Sequence, residues 1–256
     1  MNLWNKYQTS ILVPVCNLNQ ERNIVTFLQS LAKTHPERNQ YEVIIVLGND
    51  SSKEYCDRFS EYCGLGINIK EIDLHIWNVG YAQALNMATQ MAQCSNGVLV
   101  CCNDDVVFEN ECISIMSDFL TNTSYSACGP LGCDEIYTHN GNIYTSPPYS
   151  IEEKYKDISI LSGFMFGIKK KDYIDIGGIH PELVLSHEEL EIALKFRRMN
   201  KKMALVGGMK YQHVFGISNR VNAKIQILTD EITTGWGPDG NNTHNQQIVK
   251  ELMGEK

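Results

Sequence analysis

The sequence predicts an α/β fold: a mostly parallel central sheet flanked by helices, built as a single domain. Strand-like and helical patterns alternate through the first half of the chain, as they do where crossover helices join parallel strands. The strand-like runs carry no polar alternation, as expected when both faces of a sheet are covered. At 256 residues the chain is long enough to bury one complete core.

Residues 10–15 form the first β-rich run, and Asn17 or Asn19 then suits the opening of a helix. Ile24, Phe27, Leu28 and Leu31 fall at i, i+3, i+4 and i+7, one apolar helical face. Residues 41–47 are a second buried strand, closed by the polar cluster Gly48-Asn49-Asp50-Ser51-Ser52. Residues 67–74 read as a third strand, 82–91 as an Ala- and Met-rich helix, and 97–102 as a fourth strand.

The second half is less regular. Residues 129–149, with their Gly, Pro, Asn and Thr, read as loops with room for a hairpin. Residues 161–168 read as a strand, and 209–214 as a late one. Between them, 188–199 is a charged amphipathic helix with Leu190, Ile192 and Leu194 turned inward. Lys169-Lys170-Lys171 reads as a solvated turn and Gly177-Gly178 as a helix terminator. Beyond Ser218 the chain is polar, and the tail 219–256 is expected to run partly as loop, then as helix.

Bulk properties exclude several classes. A formal charge of -8 argues against a broad phosphate-binding surface, so no nucleic-acid partner is expected. One local phosphate site remains compatible with it, because a bound cation can supply positive charge. The nine cysteines include no CxxC pair, and the adjacent Cys101 and Cys102 lie in an apolar run, which suits buried thiols and a reducing cytoplasm. Residues 1–6 lack the charged-then-apolar order of a signal peptide. The longest apolar runs are far too short to cross a bilayer, so contact with a membrane is expected only at its surface. The P-loop, GxGxxG and GxSxG patterns are missing from the sequence, which removes the commonest nucleotide-hydrolase, dehydrogenase and serine-hydrolase readings.

Open α/β sheets bind ligands outside the carboxyl ends of their strands. Asn17 follows the first strand, Asn49 and Asp50 the second, and Asn103-Asp104-Asp105 the fourth. The last cluster has two readings, a solvated turn or a site for a hard divalent cation such as Mg²⁺ or Mn²⁺. Ser186-His187-Glu188-Glu189-Leu190-Glu191 has two as well. Acidic residues in a first helical turn favour the dipole, and the same carboxylates suit a general base. His213 is either a hydrogen-bonded core residue or a ligand. His35, His75, His139 and His244 have no partner at ligand spacing.

The order of these features resembles that of the family 2 glycosyltransferases. Val13-Pro14-Val15-Cys16-Asn17 is similar to the family's V-P-x-x-N opening, and residues 43–52 to its second strand with D-x-S, where Asn49 or Asp50 takes the acidic place. Asn78-Val79-Gly80-Tyr81-Ala82-Gln83-Ala84-Leu85-Asn86 is similar to N-x-G-x-x-x-A-x-N, and Asn103-Asp104-Asp105 to the D-x-D motif. Leu161 to Phe166 resembles the strand whose glycine, here Gly163, underlies the sugar. Gly177-Gly178-Ile179-His180-Pro181-Glu182 is similar to G-G-F-D-E with His180 replacing the acid, and Glu188-Glu189-Leu190-Glu191-Ile192 with Lys195 to E-D-x-D-L-x-x-R.

The resemblance implies the GT-A, Rossmann-like fold over residues 1–218, with a nucleotide-binding half (1–106) and an acceptor-binding half (107–218). It implies a metal-dependent, inverting glycosyltransferase that joins a sugar from a nucleotide-sugar donor to a glycan, glycolipid or glycoprotein acceptor. Donor contacts fall to Pro14, Val15, Asn17, Asn49, Asp50, Asn78, Gly80, Asn86, Asn103, Asp104 and Gly163. Asp105 and His213 hold Mn²⁺ or Mg²⁺, and Glu189 is the general base, with Glu188 its competitor. Two rivals are a catalytically inactive binding module of the same fold and a sugar-phosphate nucleotidyltransferase. The short loop Cys16-Asn17-Leu18-Asn19-Gln20 lacks the glycines and basic residues of the second.

Overall fold

A computed structural model describes residues 6–15, 23–48, 62–74, 79–139, 142–183, 187–213, 223–227, 230–234 and 243–254. The first half contains β1 (Thr9–Val15), α1 (Asn23–Thr34), β2 (Tyr41–Leu47), β3 (Ile69–Asp73), α2 (Gly80–Met91) and β4 (Val98–Cys102). Next come β5 (Val106–Phe108), α3 (Cys112–Thr121), β6 (Ala127–Gly129), β7 (Gly132–Cys133), β8 (Ile136–His139) and β9 (Asn142–Thr145). After these run β10 (Tyr155–Ile158), β11 (Ile160–Leu161), β12 (Met165–Lys169), α4 (Lys170–Asp175) and α5 (Glu188–Arg198). The chain continues through β13 (Met203–Val206), β14 (Tyr211–His213), β15 (Ala223–Ile227), β16 (Asp230–Thr234) and α6 (Thr243–Met253).

Eight strands form one sheet in the order β10-β13-β6-β12-β4-β1-β2-β3. The β4–β1, β1–β2, β2–β3 and β13–β6 junctions are parallel. Those of β12 with β4 and β6, and of β10 with β13, are antiparallel. The α/β expectation holds, and the sheet is parallel where strand and helix alternate.

Side chains alternate faithfully across this sheet. Ile11, Val13, Val43, Ile45, Val98 and Val100 enter one core with Ile24, Phe27, Leu28 and Leu31 of α1 and Met116 and Leu120 of α3. Leu12, Ile44, Val46, Leu99 and Cys101 enter the other with α2, α4 and α5. Burial of each such aliphatic side chain stabilises by about 1.5–3 kcal/mol, so the runs need no polar alternation. One charge interrupts them. Glu42 of β2 is fully buried, and it accepts from Ser10 Oγ at 2.7 Å and pairs with Lys70 Nζ at 2.6 Å, so the carboxylate is compensated.

His35 is a core residue. Its Nε2 accepts from Ile113 N at 3.0 Å, tying the end of α1 to α3, and burial pushes its imidazole down to about 4. Cys94, Cys101, Cys102, Cys112, Cys128 and Cys133 are free and buried, and Cys63 is exposed. Among the described residues no helix is long and apolar enough to cross a membrane.

Four expectations need correction. The strand expected over 161–168 is two strands, because β11 pairs with β7 in a small separate sheet while β12 joins the main one. The chain changes sheet at Ser162-Gly163-Phe164, and a continuous strand cannot do so. Lys169 and Lys170 are not a solvated turn: their ammonium groups donate to the carbonyls of Thr123 and Ala92, at 2.7 and 2.6 Å. The stretch expected as loop then helix carries the β15–β16 pair before its helix. The late strand begins at Tyr211, two residues later than expected, and Val214 lies outside the described residues. The hairpin suspected within 129–149 is present as β8–β9, and Gly177 and Gly178 both have the positive φ of a helix terminator.

Candidate active site

β4 delivers Asn103, Asp104 and Asp105 to its carboxyl end, where the Asn103 N–H donates to Phe164 O at 2.8 Å. The chain turns at Asp104 and Asp105 and enters β5, which pairs with β14 so that His213 stands opposite Val106. That register sets His213 Nε2 3.2 Å from Asp105 Oδ1. The imidazole also stacks on Phe164, with centroids 4.3 Å apart and planes at 15°. Asp105 is buried and Asp104 half-buried. Burial first, and the Asp105 charge second, lift the Asp104 carboxyl to about 7. A bound cation would oppose that shift by favouring the ionised form.

Glu188 and Glu189 open α5. Glu188 is buried, whereas Glu189 is half-buried and lies against the sheet-changing turn. A Cβ placed on Gly163 would come within 3.4 Å of Glu189 Oε2. Tyr81 holds the other side of this glycine, donating to its carbonyl at 2.8 Å. Burial raises the Tyr81 phenol well above its ordinary range, and the Glu188 and Glu189 charges add to the effect. The turn Ser162-Gly163-Phe164 therefore touches both clusters, with Glu189 at Gly163 and Asn103 and His213 at Phe164.

The residue before the glutamates is strained. His187 has φ 71°, in the left-handed region that a bulky side chain rarely occupies. Its carbonyl accepts the Glu191 N–H at 2.9 Å, the first turn of α5. Its Nε2 meets Gln246 Nε2 of α6 at 2.9 Å, the imidazole nitrogen accepting from the amide. This pairing suits a neutral ring, and burial lowers the His187 pKa. Gln246→Ala is expected to cost about 1 kcal/mol of stability and to speed amide exchange at Glu189–Glu191. Unchanged exchange there would show that α6 does not secure the start of α5.

Asn86 is held by internal hydrogen bonds. Its Nδ2 donates to Ile179 O at 2.7 Å, while Oδ1 accepts from Tyr173 Oη at 2.8 Å and Ile179 N at 3.1 Å. A Cβ on Gly178, itself at φ +70°, would meet that Oδ1 at 2.5 Å. The asparagine thus pins α2 to the glycine turn. Glu191 and Lys195 serve the same turn: Glu191 accepts from His180 N at 2.7 Å and pairs with Lys195, which donates to Gly178 O. Asn86→Ala is expected to cost about 1–3 kcal/mol in denaturant titration, since buried partners lose their bonds, and to leave nucleotide affinity unchanged. A tenfold loss of nucleotide affinity at unaltered stability would restore Asn86 to the donor site.

Pro14 and Val15 end β1, and Gly80 opens α2 at φ 78°, all at strand carboxyl ends or just beyond. Pro14 lies past the β1–β4 ladder, which spans Thr9–Leu12, so its missing N–H costs that ladder nothing. Asn17, Asn49, Asp50 and Asn78 lie outside the described residues. Tyr81, Phe164, His187 and Gln246 were not singled out as site residues from the sequence. Tyr81, Phe164 and His187 carried a signal, as positions inside quoted stretches, and Gln246 carried none.

The family described as Glycosyl transferase family 2 matches residues 10–177. The chain is similar in structure to S. aureus TarS 1-349 in complex with UDP, at TM-score 0.58 and 18% identity over 80% of this chain and 59% of that one. GalNAc-T7 with UDP, GalNAc and Mn²⁺ aligns at TM-score 0.63 and 14% identity, over 82% and 44%. The mannosyltransferase PcManGT from Pyrobaculum calidifontis, in complex with GDP-Man and Mn²⁺, aligns at TM-score 0.56 and 14% identity, over 82% and 58%. This chain thus spans less than two thirds of each of these structures, and its shared fold with them is GT-A. No curated protein matches the sequence.

Proposed function

The chain belongs to glycosyl transferase family 2, and on that premise we propose that it is a metal-dependent, inverting glycosyltransferase using a nucleotide-sugar donor. The observation that carries this reading is the turn at Gly163 and Phe164, against which a glutamate and an Asp–His pair are both packed. These are the two halves that sugar transfer needs, a base for the acceptor and an anchor for the departing diphosphate. The first 106 residues would bind the nucleotide, and 107–218 the acceptor.

Asp105 and His213 suit a divalent cation in donor type, one hard carboxylate oxygen beside one imidazole nitrogen. Among the described residues no group of three His, Cys, Asp or Glu side chains converges. Two protein ligands with diphosphate oxygens and water completing the shell is the pattern hard cations take at phosphate sites. When bound, Mn²⁺ or Mg²⁺ supplies Lewis-acid stabilisation of the leaving diphosphate.

In this proposal Glu189, the more accessible glutamate, accepts the proton of the acceptor hydroxyl as that oxygen attacks the anomeric carbon. The nucleoside diphosphate departs from the opposite face, so configuration inverts. Gly163 leaves room at the carboxylate, and the Tyr81 bond to its carbonyl fixes the turn. A single base suffices for direct displacement. A glycan, glycolipid or glycoprotein is the acceptor, and the cysteine usage supports work in the cytoplasm, touching a membrane at most at its surface.

Calorimetric titration with UDP, GDP, CDP and dTDP, each with Mn²⁺ and with EDTA, tests the reading. One nucleotide binding only with metal is the expected result. Binding by none under either condition would replace this reading with that of an inactive module.

A further inference from the structure

One residue, Phe164, holds the Asp105–His213 pair from two directions. Its backbone carbonyl accepts the Asn103 N–H at 2.8 Å, at the entry to the turn that carries Asp105. Its side chain, only 8% exposed, stacks on the His213 imidazole with centroids 4.3 Å apart and planes at 15°. The phenyl ring also meets Tyr211, at 5.4 Å and a tilt of 38°. Tyr211 and His213 stand two residues apart on β14, so their side chains leave the same face of the strand.

The two ring contacts differ in kind. The χ2 torsion of histidine is broad, without sharp staggered wells, so strand register sets where His213 stands but not the plane of its ring. A flat surface against one face removes that freedom, because turning the imidazole about its Cβ–Cγ bond drives an edge into the phenyl ring. The Nε2 lone pair lies in the imidazole plane, so fixing the plane aims the pair. Nε2 is the nitrogen 3.2 Å from Asp105 Oδ1, and a cation held by both atoms requires that aim to persist. An aliphatic side chain of similar bulk would fill the space and leave the plane loose. An aromatic face is also electron-rich, which favours an imidazole whose density is drawn toward a cation. The tilted Tyr211 ring supplies packing to Phe164 without touching on this requirement.

We propose that Phe164 is a positioning residue for cation binding, its ring fixing the plane of the His213 imidazole beside Asp105. The proposal rests on the metal-dependent reading given above. Its test follows Mn²⁺ binding to the full chain through loss of the free-ion EPR signal, with Mn²⁺ alone and with UDP, GDP, CDP or dTDP added. Phe164→Leu removes the flat face, Phe164→Tyr keeps it, and Tyr211→Leu removes the tilted neighbour while sparing the stack. All are compared well below their melting temperatures. Phe164→Leu is expected to weaken Mn²⁺ binding about ten- to a hundredfold, the usual effect of losing a group that orients a metal ligand. Phe164→Tyr and Tyr211→Leu should bind as the unaltered chain does. Undiminished Mn²⁺ affinity in a folded Phe164→Leu overturns the proposal, and so does an equal loss in all three variants, which marks simple packing. Should Phe164→Leu not fold, carbon-13 relaxation of the His213 ring in the unaltered chain decides: a ring as rigid as the backbone is expected, and a mobile ring overturns the proposal. Absence of Mn²⁺ binding by the unaltered chain under every condition is a different outcome, which strikes the metal-dependent reading and this role with it.

Discussion

Asp105→Ala is expected to eliminate the metal-dependent component of nucleotide binding and to lower transfer about a hundred- to a thousandfold, the loss typical of one pre-organised charge-stabilising group. The side chain is buried and faces His213 at 3.2 Å. Its removal leaves the β5–β14 ladder intact, because backbone groups make that pairing. The stack of His213 on Phe164 also survives. The melting temperature should therefore shift little, and the loss should appear in calorimetry with Mn²⁺ and not with EDTA. Asp105→Asn, which keeps the volume, should behave alike. Wild-type Mn²⁺-dependent affinity in both variants would move the anchor to Asp104.

The complementary result is expected for Glu189→Gln. Transfer should fall about a hundred- to ten-thousandfold, the range of general acid–base assistance, while nucleotide and metal bind as before. Gln keeps the contact with Gly163 but cannot take a proton, so kcat should fall without a matching rise in KM for the donor. Glu188→Gln is the control. Glu188 is 5% exposed, too enclosed to meet an incoming hydroxyl, and its substitution should spare kcat relative to Glu189→Gln. The reverse order would exchange the roles of the two residues.

Much of this was legible in the sequence because it is local. The strands of the first half are covered on both faces, so unbroken apolar runs reported them, and α1 declared itself through Ile24, Phe27, Leu28 and Leu31. The family and its GT-A fold were likewise readable from motif order. What periodicity could not show was the change of sheet at Ser162-Gly163-Phe164, since the strands on either side are equally apolar. Motif spacing likewise carried no sign of the hydrogen bonds that join Asn86 to Ile179 and Tyr173, a matter of tertiary contact. The lysines at 169 and 170 were read as solvated by type, yet each covers an open carbonyl. No pattern could have joined His187 to Gln246, which lie 59 residues apart.

That last contact bears on when the molecule matures. The chain is made from its amino end, and every strand of the main sheet precedes Gln246 in order of synthesis. A nascent chain can thus complete its sheet before Gln246 reaches His187. The start of α5, where Glu188 and Glu189 lie, should consequently be secured later than the sheet, once the segment carrying α6 has emerged and docked.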